Sequence, residues 1–319
     1  MRLLKLIPDN TNIGFVRLRG WAFGLTALLT IAAAVLVGVR GLNLGVDFVG
    51  GVMIEASFPT APQLDKLRGD VDSLHVGQGN LQSFADPHVV SIRLPIPSGN
   101  DEGATNRVVN NVKSSLAAKY PGVTFNRAET VSGKVSGELI RNGLLAVFLA
   151  VTAIAIFSWI RYEWQFGVST FVAIFHDVLV TLGLFALTRL EFDLNIVAAV
   201  LTIIGYSIND KIVIDDRIRE NMRKYRQMDM RALIDLSVNE TLPRTVMTSL
   251  TILLALASLL IFGGPVLRGF TAAMMLGVFV GTYSSIYVSS SLLISLGLSP
   301  QLSEPKKKSG PPDSAERVG

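Results

Sequence analysis

The stretch GYSINDKIVIDDRIREN (205–221) follows LNIVAAVLTII (194–204) without a break. Leu194 to Ile208 supplies about 15 residues, or about 22 Å of helix at roughly 1.5 Å per residue. The hydrocarbon core of a bilayer is about 30 Å thick. A helix that starts at Leu194 must therefore run on through Asn209, Asp210 and Lys211 to about Ile214 before it has crossed. That puts a carboxylate and an ammonium inside the membrane, nearer one face. A charge at such a depth costs roughly 2.5–3.5 kcal/mol or more. It has to face protein or water, it needs a partner, and it marks an ion or proton path.

The composition agrees with a membrane setting. Half of the 319 residues are hydrophobic and 17% are charged. The mean hydropathy is +0.46, too high for an ordinary soluble domain. The absence of cysteine excludes a disulfide framework, thiol catalysis and Cys-based metal sites. His75, His88 and His176 lie far apart in sequence and form no local metal-ligand motif. The isoelectric point near 9.4 does not indicate a nucleic-acid partner, because the basic residues cluster beside apolar helices, where they set orientation.

Six segments are long and apolar enough to span: Trp21–Val39, Leu139–Ile160, Phe166–Leu187, Leu194–Ile214, Val246–Phe262 and Thr271–Leu296. The first is longer than a signal-peptide apolar region and has no clear cleavage site after it, so it reads as retained. Arg2, Lys5, Arg17 and Arg19 precede it, and Arg161 lies between the second and third segments. Arg217, Arg219, Arg223, Lys224, Arg226 and Arg231 lie between the fourth and fifth, and Lys306, Lys307 and Lys308 follow the sixth. The opposite short loops carry only Arg189 and Arg268. This asymmetry predicts that both termini face the cytoplasm.

The chain thus divides into an N-terminal segment (1–20), a first spanning helix (21–39), an outer domain (40–137), a five-helix membrane domain (138–297) and a disordered cytoplasmic tail (298–319). Within the outer domain, VMIEASF (52–58) alternates like a strand, and residues 61–74 place Leu64, Leu67, Val71 and Leu74 at helical spacing. NLQSFA (80–85) and HVVSIRLPI (88–96) read as two strands joined around Asp86 and Pro87. Residues 102–120 form a second amphipathic helix and VTFNRAETV (123–131) a last strand. The order βαββαβ is that of a ferredoxin-like α+β unit.

Arg244 is a candidate partner for Asp210. It opens the fifth segment from the same side, at comparable depth. Lys211 points about 100° away from Asp210, has Asp215 four residues on as an intrahelical partner, and could also snorkel to the interface. His176 and Asp177 lie near the middle of the third segment. A histidine beside a carboxylate suits a proton relay, or a hydrogen-bonded pair that locks packing. In the sixth segment Gly277, Gly281 and Ser285 recur every four residues and form a small-residue face for close helix packing. After the first helix, Gly45, Gly50 and Gly51 flank Asp47 and Phe48 just before the first outer strand, and read as a joint between membrane and outer domain. No Ser-His-Asp, metal or nucleotide motif is present, so neither an enzyme nor a cofactor is expected.

Five blocks in this order, GVDFVGG (45–51), FHDV (175–178), GYSINDKIVIDDRIREN (205–221), NETLPRT (239–245) and GVFVGTYSSIYV (277–288), resemble the SecD/SecF family of bacterial protein export, a branch of the RND superfamily. The topology resembles its smaller, SecF-type branch. Val49 stands where that family usually has Thr, Lys211 and Asp215 where it usually has uncharged residues, and Pro243 where Ser is common. The resemblance implies an RND-type half bundle paired with a SecD half. Proton flow past Asp210 and Arg244, with His176 and Asp177 as weaker candidates, would move the outer domains that hold emerging unfolded preprotein. It further implies work beside SecYEG, with SecA and YidC as further partners, protons as the coupling ion and no other cofactor. A half-transporter for small molecules or lipids is the alternative, and a purely structural subunit is a third reading.

Overall fold

The computed structural model describes residues 8, 11–77, 79–83, 86–95 and 102–300. Arg2, Lys5 and the tail with its three lysines lie outside the described residues, as do Phe84, Ala85 and Ile96 of the expected strands. Six helices are long and apolar enough to cross a membrane. The first is α1 (Arg19–Arg40), entered through a single 3-10 turn at Val16–Leu18. The chain then makes a two-residue strand β1 (Asn43–Leu44), one helical turn α2 (Val46–Val49), and enters the outer domain.

That domain runs β2 (Gly51–Ser57), α3 (Leu64–Asp72), β3 (Asn80–Ser83), β4 (Val89–Leu94), α4 (Glu102–Lys119) and β5 (Thr124–Val131). Its sheet order is β3-β4-β2-β5, antiparallel throughout. This is the ferredoxin-like split unit read from the sequence. One face of the central strands is filled by Val52, Ile54, Val90 and Ile92, against Leu67 and Val71 of α3 and Val112 and Leu116 of α4. The period-2 pattern of the strands and the 3–4 spacing of the helices meet in a single apolar core.

The membrane part continues with α5 (Gly133–Arg161), α6 (Trp164–Thr188), a second two-residue strand β6 (Glu191–Phe192), α7 (Leu194–Lys224), α8 (Met230–Phe262), α9 (Gly264–Tyr283), a π-helical stretch Ser284–Ser289, and α10 (Ser290–Ser295). β1 and β6 pair in parallel, Asn43 with Glu191 and Leu44 with Phe192. The end of the first helix is thereby tied to the start of the fourth.

Two boundaries differ most from the hydropathy reading, while α5 and α9 start six and seven residues earlier than expected, at Gly133 and Gly264. α7 does not stop near Ile214, and α8 begins at Met230 rather than Val246. Ile214, Ile218 and Met222 fall on one face of the extension and pack against Leu233, Ile234 and Val238 of α8. Asp216, Arg217, Arg219 and Glu220 occupy the other face, whereas Asp215 is buried on the same side as Ile214 and Ile218. Mean apolarity falls at the membrane boundary, but amphipathic helix continues past it. The sixth segment is also not one regular helix. It is under-wound at Ser284–Ser289.

Candidate functional site

The deepest polar cluster lies where α6, α7 and the π-helical stretch meet. Asp177 projects from α6 and Lys211 from α7, with side chains 1% and 0% exposed and Nζ 3.5 Å from Asp177 Oδ2. Lys211 Nζ donates to Ser207 Oγ at 2.7 Å and to Ser284 Oγ at 3.2 Å, with Ser285 Oγ at 3.5 Å. Ser207 and Ser284 hydroxyls in turn donate to Asp177 Oδ2 at 2.6 and 2.9 Å. One carboxylate oxygen thus collects an ammonium and two hydroxyls. Asp177 Oδ1 has no partner among the described residues.

The sequence expectation for Lys211 is corrected here. It makes no ion pair within 4 Å with Asp215; its partner is Asp177. Nor does it snorkel. Its hydrogen bond to Ser207, one turn nearer the start of α7, shows the amine directed back toward mid-membrane. Helical side chains lean toward the N-terminus of their helix, and here that lean points inward.

Local packing explains the geometry. A Cβ built on Gly277 would lie 2.4 Å from Ile203 Cγ1, and one on Gly281 3.2 Å from Ser207 Cβ. Both glycines let α9 approach α7 closely. The π-helical stretch follows at once and turns the Ser284 and Ser285 hydroxyls toward Lys211. Single π segments inside α-helices recur at functional sites. Ser285, expected only as a packing residue, is thus also a polar neighbour of the amine.

His176 Nδ1 pairs with Thr30 Oγ1 of α1 at 2.7 Å, and its Nε2 has no partner among the described residues. A polar line therefore crosses the bundle from Thr30 through His176 and Asp177 to Ser207 and Lys211.

Asp210 faces another side of α7. It is buried and its Oδ2 has no hydrogen-bond partner among the described residues. Arg244 is close enough to exert a Coulombic pull on it. No ion pair within 4 Å joins the two among the described residues, and Arg244 is exposed. One turn before Asp210, Tyr206 shares a hydrogen bond with Ser249 of α8 at 2.7 Å, and Ser249 shares another with Thr282 of α9 at 2.8 Å.

The joint ties the outer domain to the start of α7. Asp47 Oδ2 accepts the backbone N–H of Leu194 at 3.0 Å, and Asp193 accepts that of Ile196. Both acids satisfy free N–H groups at a helix start. Gly45 lies against β6, where a Cβ would meet Glu191 Oε1 at 2.9 Å. Gly50 and Gly51 have φ of +75° and +136°, and a Cβ on Gly51 would stand 2.7 Å from Leu94 O. From the sheet, Arg93 contacts Glu191 at 2.8 Å and donates to Asn43 Oδ1 and Leu44 O at 3.1 Å. Gln82 and Asn43 both donate to Arg189 O. Burial pushes the Glu191 carboxyl above its ordinary range, and Arg93 offsets part of that.

Sequence reasoning missed Thr30, Ser207 and Ser284, and it missed Arg93 and Glu191 at the joint. The spacing of Ser207 and Lys211, four residues apart on one helix face, was a usable signal. The Arg93–Glu191 pair had none, because its partners are far apart in the chain.

The family model described as protein export membrane protein SecD/SecF, C-terminal, matches residues 111–299. The SecD/SecF GG motif matches residues 35–58, which contain the joint. The chain is 44% identical to a protein translocase subunit SecF of Rhodobacter capsulatus, over 92% of each chain. It is 38% identical to that of Rickettsia akari, over 91% of this chain and 94% of the relative. Among solved structures it matches a crystal structure of SecDF, a translocon-associated membrane protein, from Thermus thermophilus, with a TM-score of 0.84 and 34% identity. That match covers 92% of this chain and 40% of the SecDF chain. By the family model over residues 111–299 and by 44% identity along nearly the full length of a relative, the chain belongs to the SecD/SecF family of protein export membrane proteins.

Proposed function

We propose that this chain is the SecF-type half of a proton-driven machine that assists protein export across a bacterial inner membrane. Both termini would face the cytoplasm and the split α+β domain the outer side, a reading supported by the distribution of lysine and arginine in the short loops. A SecD half would complete the bundle, and emerging unfolded preprotein from SecYEG would be the substrate. SecA and YidC would act beside it.

The observation that carries the proposal is the Lys211–Asp177 pair, with side chains 0% and 1% exposed inside a membrane bundle. Packing alone does not favour such a pair, since apolar residues of similar volume do as well or better. Ionisable groups held at this depth mark ion and proton paths. Asp210, His176 and Asp177 each keep one polar atom without a partner among the described residues. Such atoms can receive or release a proton without first breaking a bond.

The chemistry is a charge switch. A proton arriving at Asp210 or Asp177 removes a negative charge facing Arg244 or Lys211. The helix packing that the charge held is then biased toward a second arrangement. One proton falling through about 100 mV yields about 2.3 kcal/mol, enough to shift a conformational balance but small beside unfolding a domain. α7 is the route outward. It carries Lys211 and Asp210 in the membrane, and its first N–H is held by Asp47 of the joint. The cycle would therefore capture and release an unfolded chain.

The test is pulse-labelled precursor processing in cells depleted of their own SecD and SecF and supplied with this chain and its SecD. At matched protein level, Asp210→Asn and Asp177→Asn should accumulate precursor. Wild-type processing in both would exclude the proton step and leave a structural subunit.

A further inference from the structure

α5 stands apart from the rest of the bundle. It packs mainly on α6, more lightly on α7, and is bridged to the joint by α2, and a gap remains among these helices. The gap is a cavity of about 490 Å³ at the joint end of the membrane span. Its walls include Val147 and Phe148 of α5, Phe175 of α6, Val200 of α7 and Phe48 of the joint. Thr152 is the one lining residue that is not apolar. Gly143 is part of its wall, where a Cβ would come within ordinary contact of Val197, at 3.7 Å. The volume lies within the roughly 300–1,000 Å³ range of ligand pockets. At this depth the only abundant apolar ligand is a lipid chain.

The mouth of the groove carries the second half of the argument. Arg141 sits on α5 next to the lining residue Ile140 and just before Gly143 and Leu144. It is exposed and makes no hydrogen bond or ion pair among the described residues. Glu138, also exposed, is one turn away and makes no ion pair with it. Arg40 and Arg189, two other arginines at this end, are engaged with backbone carbonyls. Arg141 and Arg161 are twenty residues apart on one helix, roughly 30 Å, which matches the hydrocarbon thickness. Arg161 lies at the far end of α5, so Arg141 falls at the headgroup level of the joint-side leaflet. A guanidinium there matches a phosphate in charge and geometry.

We propose that this groove is a phospholipid site, with the phosphate on Arg141 and one acyl chain passing Phe48 of the joint and running inward between α5, α6 and α7 toward Phe171 and Phe175. The bound chain supports the α2 turn, so lipid occupancy steadies the element that ties the outer domain to α7. This use does not depend on the proton step.

The test places the full chain in phosphatidylcholine nanodiscs doped with phosphatidylglycerol carrying a photoactivatable diazirine on its acyl chain. Adducts are mapped by peptide mass spectrometry. They should concentrate on α5 and α6 around Phe148 and Phe175, well above those on the lipid-facing Leu254 and Ile261 of α8. Arg141→Gln should lower groove adducts roughly fivefold, the ratio for one exposed charge pair near 1 kcal/mol. Arg141→Lys should restore most of them. Gly143→Trp, which fills the groove, should abolish them and leave the α8 adducts unchanged. Adducts spread evenly over α5 and α8, or insensitive to either Arg141→Gln or Gly143→Trp, would overturn the proposal. So would their loss when the chain is labelled beside its membrane partners, since a protein segment would then cover the groove.

Discussion

The outer domain and the membrane bundle are built on opposite plans. The outer domain fills its core with Val52, Ile54, Leu67 and Ile92 and keeps charges such as Asp65 and Arg68 at the surface, with Glu55 buried on the other face of the sheet, where it accepts from Asn126. The bundle turns Leu254, Ile261 and Phe262 outward and buries Lys211, Asp177, Ser207 and Ser284. In water the apolar groups gain most from burial. In lipid they gain nothing by it, so the bundle interior can admit small residues and polar pairs among buried apolar side chains such as Phe185, Ile203 and Ile204. The outer domain's stability is therefore mostly area removed from water, and the bundle's depends on matched hydrogen bonds. The first kind of interior is indifferent to one proton; the second is not.

The comparison is tested hardest at its centre. Lys211→Met leaves the Asp177 carboxylate buried without its cation and should cost about 3–5 kcal/mol. Adding Asp177→Leu should recover most of that, because an apolar replacement of a buried pair is near neutral. Thermal unfolding in detergent, run as a double-mutant cycle, checks both. If the double variant were no more stable than the single one, the pair would not be a unit. In the outer domain Ile54→Ala should cost about 2–5 kcal/mol, with no polar partner able to rescue it. Denaturant unfolding monitored in that domain reads the loss.

The joint should give smaller effects. Gly51→Ala forces a side chain onto φ +136° and toward Leu94 O, and should cost more than about 1 kcal/mol. Asp47→Ala removes the acceptor for the Leu194 N–H and should cost about 0.5–2 kcal/mol. Amide exchange at the start of α7 would report both, and unchanged exchange would mean that the outer domain is not anchored there. Glu191 gives the smallest effect, and its sign is fixed. Its carboxyl is raised by burial in the folded joint. Its contribution is therefore fully present below its unfolded value and fades as pH rises through the raised folded value. Glu191→Gln should flatten that dependence.

Much of this was legible in the sequence because bilayer thickness converts residue counts into depth. The length of the run from Leu194 was enough to put Asp210 and Lys211 inside the membrane. The alternation in 52–58 and the spacing of Leu67 and Val71 were enough for the split α+β unit. The helical extensions were harder, since Ile214, Ile218 and Met222 are diluted by charges on the opposite face. Side-chain direction was not legible at all. Lys211 had a plausible partner four residues on, and only the approach of α6 and the under-winding at Ser284 reveal that it turns to Asp177. Asp210 and Arg244 were expected at similar depth, but depth alone does not set a contact, and no ion pair within 4 Å joins them among the described residues.

The most direct measurement is proton flux. The chain and its SecD would be reconstituted in liposomes containing a pH-sensitive dye, and a pH gradient and membrane potential imposed. The account predicts proton entry that falls to the protein-free rate in Asp210→Asn and in the Lys211→Met/Asp177→Leu double variant. Equal flux in wild type and both variants would contradict it, and the buried charges would then serve only to hold the helices together.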